Sequence, residues 1–391
     1  MPASKPRHAA KRTYFDPFKD IKRTLVLLGT FLGVFGFGLV NVFSSYDLSA
    51  GGYGSLVSYF APALLLAGFI YWPLLYMGFS VADGMKWRFF IFAFQMAAIA
   101  GYLIAPAQPF WRGLAAGIVL APFWTAHHIA MVQNTTKDNR GFEVALSQFF
   151  MLLSGVATAL FAAHYLKEAN PLVAITLALS SLMTGTGCFL LTSRCVRQKT
   201  VTGYIKECKD TARDNPYMAR RIISQSLFEA SSFTFAALMF LVGISPTIMA
   251  TILIARLVLM AFLSPLVGKI AHNHRHHGYA IGLGFIGVAM LILAIDPSLS
   301  LVFLAFLILY GIGMNFSNGA LASGLYEMQS YATMMWSEVY MATGRAIGII
   351  VFVPIMFVNV RVYLLALAAL AAALYVFNRR WQRKWAEAGA M

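Results

Sequence analysis

Charge is what this sequence has least of. Only 12% of its 391 residues are Asp, Glu, Lys or Arg, about half the share that a soluble domain carries. With 59% of the residues hydrophobic, too few polar groups remain to cover a soluble globule of this length, so a soluble enzyme, a disordered chain and a small disulfide scaffold are all excluded. Cysteine is scarce as well. Cys188, Cys195 and Cys208 match no zinc-site spacing and no redox pair. No GxxxxGK[ST] loop is present, so ATP is not expected to drive the protein directly. No HExxH, GxSxG or paired-carboxylate motif points to an enzyme, and no cofactor is expected. Acidic residues number 15 against 30 Lys and Arg, a formal charge of +15.

What the sequence has in quantity is long apolar runs. A helix needs about 20 apolar residues to cross a bilayer. Twelve segments meet this: 24–44, 55–78, 88–105, 112–132, 143–166, 171–192, 221–243, 247–269, 279–295, 299–321, 333–357 and 361–378. The expected fold is an all-α integral membrane protein of 12 transmembrane helices. A polar, basic stretch at the midpoint, 193–220, divides them six and six. The expected organisation is a tail over 1–23, a six-helix bundle over 24–192, a linker over 193–220, a second bundle over 221–378 and a tail over 379–391.

The positive charges orient the chain. With both ends on one side, 25 of the 30 Lys and Arg residues fall on that side and three (Arg112, Lys167, Arg361) on the other. Cytoplasmic loops hold the Lys and Arg of membrane proteins, so both termini are expected in the cytoplasm. The basic excess then reports topology and anionic lipid headgroups, not nucleic acid. A small-molecule substrate, membrane lipids and a monomeric state are expected, in a bacterial inner membrane.

A weak repeat relates the halves. Gly78, Asp83, Lys86 and Arg88 between the second and third segments are echoed by Gly268, His272 and the basic run after it. Glu143-Val and Glu338-Val open the fifth and eleventh segments. Duplicated six-helix halves are a common transporter architecture.

Taken together, the six-plus-six pattern, the basic middle loop and the Gly78–Asp83–Lys86–Arg88 motif resemble the major facilitator superfamily. Arg112 with Gly113 and Gly117 is similar to that family's arginine on span four, and Arg140-Gly141 to the pair that opens span five. The Gly-Pro motif of the antiporter subgroups is poor, with Ser154-Gly155 and no Pro. The resemblance implies two pseudo-symmetric six-helix bundles, alternating access and a site between them near mid-membrane. It also implies gating roles for Gly78, Asp83, Lys86, Arg88, Arg112 and Gly268.

Four charges, Glu229, Arg256, Glu338 and Arg345, lie inside the apolar segments, where each costs roughly 2.5–3.5 kcal/mol on insertion scales. Guanidinium groups suit carboxylate or phosphate, so Arg256 and Arg345 are candidates to bind an anionic or amphipathic solute. A desolvated carboxylate has its pKa raised, which makes Glu229 and Glu338 the candidates for proton coupling. Internal pairing among the four is the structural alternative. Asn41, Trp124, Asn315 and Asn318 complete the candidate site. Trp124 offers an aromatic wall, and the Gly311–Gly319 stretch offers either a flexible helix or small-residue packing. His127 and His128 read as the interfacial end of a proline-kinked span. His272, His274, His276 and His277 allow a metal or metal-chelate carrier, against a solvated basic loop. A non-transporting assembly factor or receptor of the same fold is the reading from another class.

Overall fold

The computed structural model describes residues 20–81, 84–104, 108–134, 140–165, 171–193, 200–214, 216–273, 275–328 and 330–387. Its helices are α1 (Ile21–Ser49), α2 (Gly52–Leu66), α3 (Trp72–Val81), α4 (Gly84–Ile104), α5 (Pro109–Asn134), α6 (Arg140–Tyr165), α7 (Pro171–Thr192), α8 (Val201–Asp214), α9 (Pro216–Leu241), α10 (Pro246–Asn273), α11 (Arg275–Ile295), α12 (Ser300–Met328), α13 (Tyr331–Val358) and α14 (Val360–Glu387). Among the described residues there is no β-strand. A π-helical turn, Ala67–Tyr71, joins α2 to α3, making one long element. Each apolar segment of the sequence falls on its own helix. Nine helices among the described residues are long and apolar enough to cross a membrane.

Local chemistry fixes the helix starts. Proline opens α5, α7, α9 and α10, where its fixed φ suits the first turn and its missing N–H is not needed. Asp20 caps α1 by accepting from the Lys22 amide at 3.0 Å. Gly52 (φ 76°) and Gly243 (φ 81°) hold left-handed turns after α1 and α9. These are equivalent places in the two halves, so the repeat seen in the loops extends to the backbone.

Glycine also sets how closely the helices approach. A Cβ on Gly29 of α1 would lie 2.9 Å from the Gly185 carbonyl oxygen of α7. One on Gly344 of α13 would lie 2.6 Å from the Ile223 carbonyl oxygen of α9. Small residues serve this purpose where lipid gives helices no hydrophobic reason to associate. Between the halves α2 packs on α13, α6 on α10 and α1 on α9. Exchanging the halves turns the second-with-eleventh contact into the fifth-with-eighth, as a pseudo-two-fold axis requires.

The structure departs from the sequence expectation at the midpoint. Residues 193–220 do not form a plain linker, because α8 forms within them. Val201, Tyr204, Ile205 and Cys208 give it an apolar stripe at helical spacing. Tyr204 is buried and its hydroxyl donates to the Met335 sulfur at 3.6 Å. Burial raises the pKa of that phenol. The Trp336 indole donates to the Cys208 carbonyl at 2.8 Å. The helix is therefore docked on α13, and α9 begins five residues earlier than the apolar run that predicted it. At the other end, α14 continues to Glu387, into the segment read as a tail.

Replacing Gly344 with Val should overpack α13 against α9 and destabilise the protein by about 1–3 kcal/mol, read as a lower thermal midpoint in detergent. Gly284→Ala, where nothing lies within 4 Å of the added Cβ, should leave the midpoint unchanged.

Candidate functional site

Three charged side chains and one tyrosine lie midway along four helices of the second half. Glu229 lies on α9, Arg256 on α10, Tyr310 on α12 and Arg345 on α13. Each is 10 to 14 residues into its helix, or about 15–21 Å at 1.5 Å per residue.

Arg345 Nε donates to Glu229 Oε2 at 2.8 Å, and its terminal nitrogen Nη2 bonds the same oxygen. Gln225 Nε2 donates to Glu229 Oε1 at 3.4 Å. Glu229 is 7% exposed and Arg345 is half-buried, so the carboxylate is withdrawn from water and held by the guanidinium. Internal pairing, the alternative for these residues, is thus what the structure contains at Glu229 and Arg345. The same glycine that brings α13 onto α9, Gly344, immediately precedes the arginine.

Arg256 is placed differently. A Cβ on Gly311 would stand 3.3 Å from its Nε, so the guanidinium lies against the bare backbone of α12. That Nε is buried without a hydrogen-bond partner. Among the described residues no carboxylate forms an ion pair with Arg256. The neighbouring Tyr310 hydroxyl donates to the Phe228 carbonyl at 2.8 Å and lies 2.9 Å from the Ser231 hydroxyl, which ties α12 to α9 beside the arginine. Among the described residues Arg256 therefore has no carboxylate to balance it.

Glu338 is not part of this group. It lies seven residues into α13, about 10 Å from its start, and pairs with His128 of α5 across the halves. Glu338 Oε1 is 2.7 Å from His128 Nε2. Reading His128 as an interfacial end missed this contact. Trp124 and His128, four residues apart, share one face of α5, but that spacing does not point to α13.

Of the remaining candidates, Trp124 packs edge-on to Phe37 with centroids 6.0 Å apart and stacks over His128 at 6.2 Å. Asn41 on α1 has a buried, unpartnered Oδ1. Asn315 is half-buried on α12. Asn318 lies on α12, but its side chain is outside the described residues. Among the motif residues, Gly78 lies under the Trp87 indole, 1.9 Å from where a Cβ would be. Arg88 donates to the Ser193 carbonyl just past α7, and Lys86 is exposed. Arg112 lies 4.0 Å from Asp47 and 6.0 Å from the centre of the Tyr102 ring. Gly268 lies in α10, while Asp83 lies outside the described residues. So do the side chains of His272, His274 and His276. Among the described residues no cluster of His, Cys, Asp and Glu could hold a metal.

No protein-family model and no curated protein matches the sequence. Solved structures do match. The human organic anion transporter MFSD10 (TETRAN) aligns over 93% of this chain and 99% of its own, with TM-score 0.65 and 15% identity. A POT family transporter in complex with a thioalcohol conjugated peptide aligns over 92% and 96%, with TM-score 0.68 and 10% identity. The peptide transporter POT in complex with sulfate aligns over 92% and 94%, with TM-score 0.62 and 14% identity. The chain has the major facilitator fold. Within that fold the Glu229–Arg345 pair joins α9 to α13 inside one half, and the His128–Glu338 pair joins the two halves.

Arg345→Ala would leave Glu229 buried without its cation, and removing one partner of such a pair costs about 3–5 kcal/mol. The double variant Glu229→Gln/Arg345→Met should recover most of that loss, measured by thermal unfolding in detergent.

Proposed function

We propose that the protein is a secondary transporter that carries a small anionic or amphipathic solute by alternating access between its two halves. Arg256 is the observation that carries this reading. A guanidinium whose Nε is buried without a partner, and which has no carboxylate among the described residues, is a standing cost in a low-dielectric environment, and a carboxylate, sulfate or phosphate group on a solute removes it through paired charge-assisted hydrogen bonds. Arg345 already has Glu229, so the site offers one net positive charge and favours one anionic group per solute. Asn41 and Trp124 on the first half supply a polar and an aromatic contact for the remainder of the solute. The fold-level likeness to a transporter described as carrying organic anions, and to a peptide transporter in complex with sulfate, supports the same chemistry.

Glu229 and Glu338 are the proposed proton-coupled groups, because both are buried carboxylates held by a basic partner. The basic face is assigned to the cytoplasm of a bacterial inner membrane from the distribution of Lys and Arg, with twelve crossings and the half-and-half division described above.

Purified protein in proteoliposomes, screened with labelled organic anions under a pH gradient, tests the reading. Arg256→Ala should weaken uptake about tenfold to a hundredfold, the worth of a hydrogen bond to a charged group. Arg256→Lys should retain a part of the activity. Uptake by Arg256→Ala equal to the wild type would remove Arg256 from the site.

A further inference from the structure

On the face opposite the basic one, the ends of α1 and α9 come together around a cavity of about 340 Å³ lined by Tyr46, Asp47, Ser49, Ala50, Phe240 and Leu241. The first four residues belong to one half and the last two to the other. The Tyr46 and Phe240 rings meet across the halves with centroids 4.7 Å apart and planes 67° apart, so they form a corner and not a stack. Tyr53 against Phe357 at 6.4 Å extends the aromatic contact between the halves. Asp47 is the one formal charge among the six lining residues, and it is exposed. The Ser49 hydroxyl donates to the Tyr46 carbonyl at 2.7 Å, so its hydrogen is already used within α1.

We propose that this cavity binds a small organic ammonium ion, with the cation against the Tyr46–Phe240 corner and its charge balanced by Asp47. The faces of aromatic rings attract weakly hydrated cations, and ring walls beside a charge are how quaternary ammonium groups are recognised. The volume is at the lower end for a ligand pocket, which fits a compact group. An anion would meet the Asp47 carboxylate as a like charge, and an uncharged guest would leave it unused. Occupancy also bears on the two halves. A guest that touches α1 and α9 at once binds best when their ends are together, so it shifts the population toward closure of this face. Neither statement depends on what the protein carries.

The protein's own cation near Asp47 does not fill this role. Arg112 Nη1 lies 4.0 Å from Asp47 Oδ2, and its guanidinium sits 6.0 Å from the centre of the Tyr102 ring on α4. The side chains of that pair are 24% and 42% exposed, and a long, partly solvated ion pair contributes little. The carboxylate can therefore serve a second cation on its cavity side. Arg112 is not among the residues that line the cavity.

Choline and its uncharged isostere, in which a quaternary carbon replaces the nitrogen, are titrated by calorimetry against the full chain in maltoside detergent. Choline should bind and the isostere should not. Phe240→Leu should weaken choline binding about twofold to fivefold, the worth of one exposed cation–π contact. Asp47→Asn should weaken it severalfold, while Asp47→Glu keeps the charge and should keep the binding. Spin labels at Gly54→Cys and Thr247→Cys, both exposed and one on each half, read closure of this face once Cys188, Cys195 and Cys208 are replaced by Ser. Choline should raise their short-distance population, and the isostere should leave it unchanged. Nanodiscs distinguish the source of the ammonium group. Choline binding lost in phosphatidylethanolamine but kept in phosphatidylglycerol supports the site with a lipid headgroup as occupant. Binding kept in both supports it with a free solute. No choline binding in detergent, equal binding of the isostere, or affinity unchanged by both Asp47→Asn and Phe240→Leu would overturn the site. Choline binding without a change in the label distances would overturn the closure.

Discussion

Charge inside a hydrocarbon slab has to be matched, and that constraint organises the interior of this protein. A guanidinium or carboxylate loses its hydration on entering the bilayer, and only a close partner offsets the cost. Glu229 and Arg345 meet this requirement for each other. Their contact fixes the rotation of α9 against α13, and it needs the two helices near enough for Gly344 to lie on the Ile223 carbonyl. The glycine and the ion pair therefore depend on each other. Without the close approach the charges do not meet, and without the pair two buried charges stand against the packing.

The same rule makes Arg256 informative. Its Nε lies against the bare backbone of α12 at Gly311, and among the described residues no carboxylate forms an ion pair with it. A structural arginine in such a place would be expected to bring its own carboxylate, as Arg345 does. In the proposed function, Arg256 is the cation that an anionic solute satisfies. Glu338 marks a different boundary. Its partner lies on the other half, whereas the partner of Arg345 lies on the same half.

Much of this was legible in the sequence, because composition and depth are one-dimensional properties. The apolar runs gave the helices, and the cost of burial singled out Glu229, Arg256, Glu338 and Arg345. Pairing was not legible. Glu229 and Arg345 are 116 residues apart and His128 and Glu338 further still, so which acid meets which base follows from helix packing. His128 read as an end of a span because nothing in α5 alone shows that α13 crosses it there. The α8 helix was hidden by its own polarity. Its apolar stripe is four residues wide within a basic segment, and Met335 and Trp336, which receive it, come more than 120 residues later.

Locating a bound anion tests the central claim most directly. A structure of the protein in lipid with selenate, whose selenium is identified by anomalous scattering, distinguishes the two arginines. Selenate is expected within hydrogen-bonding distance of Arg256, with the Glu229–Arg345 pair intact. A protein carboxylate seated on Arg256, or selenate on Arg345 with Glu229 displaced, would contradict it.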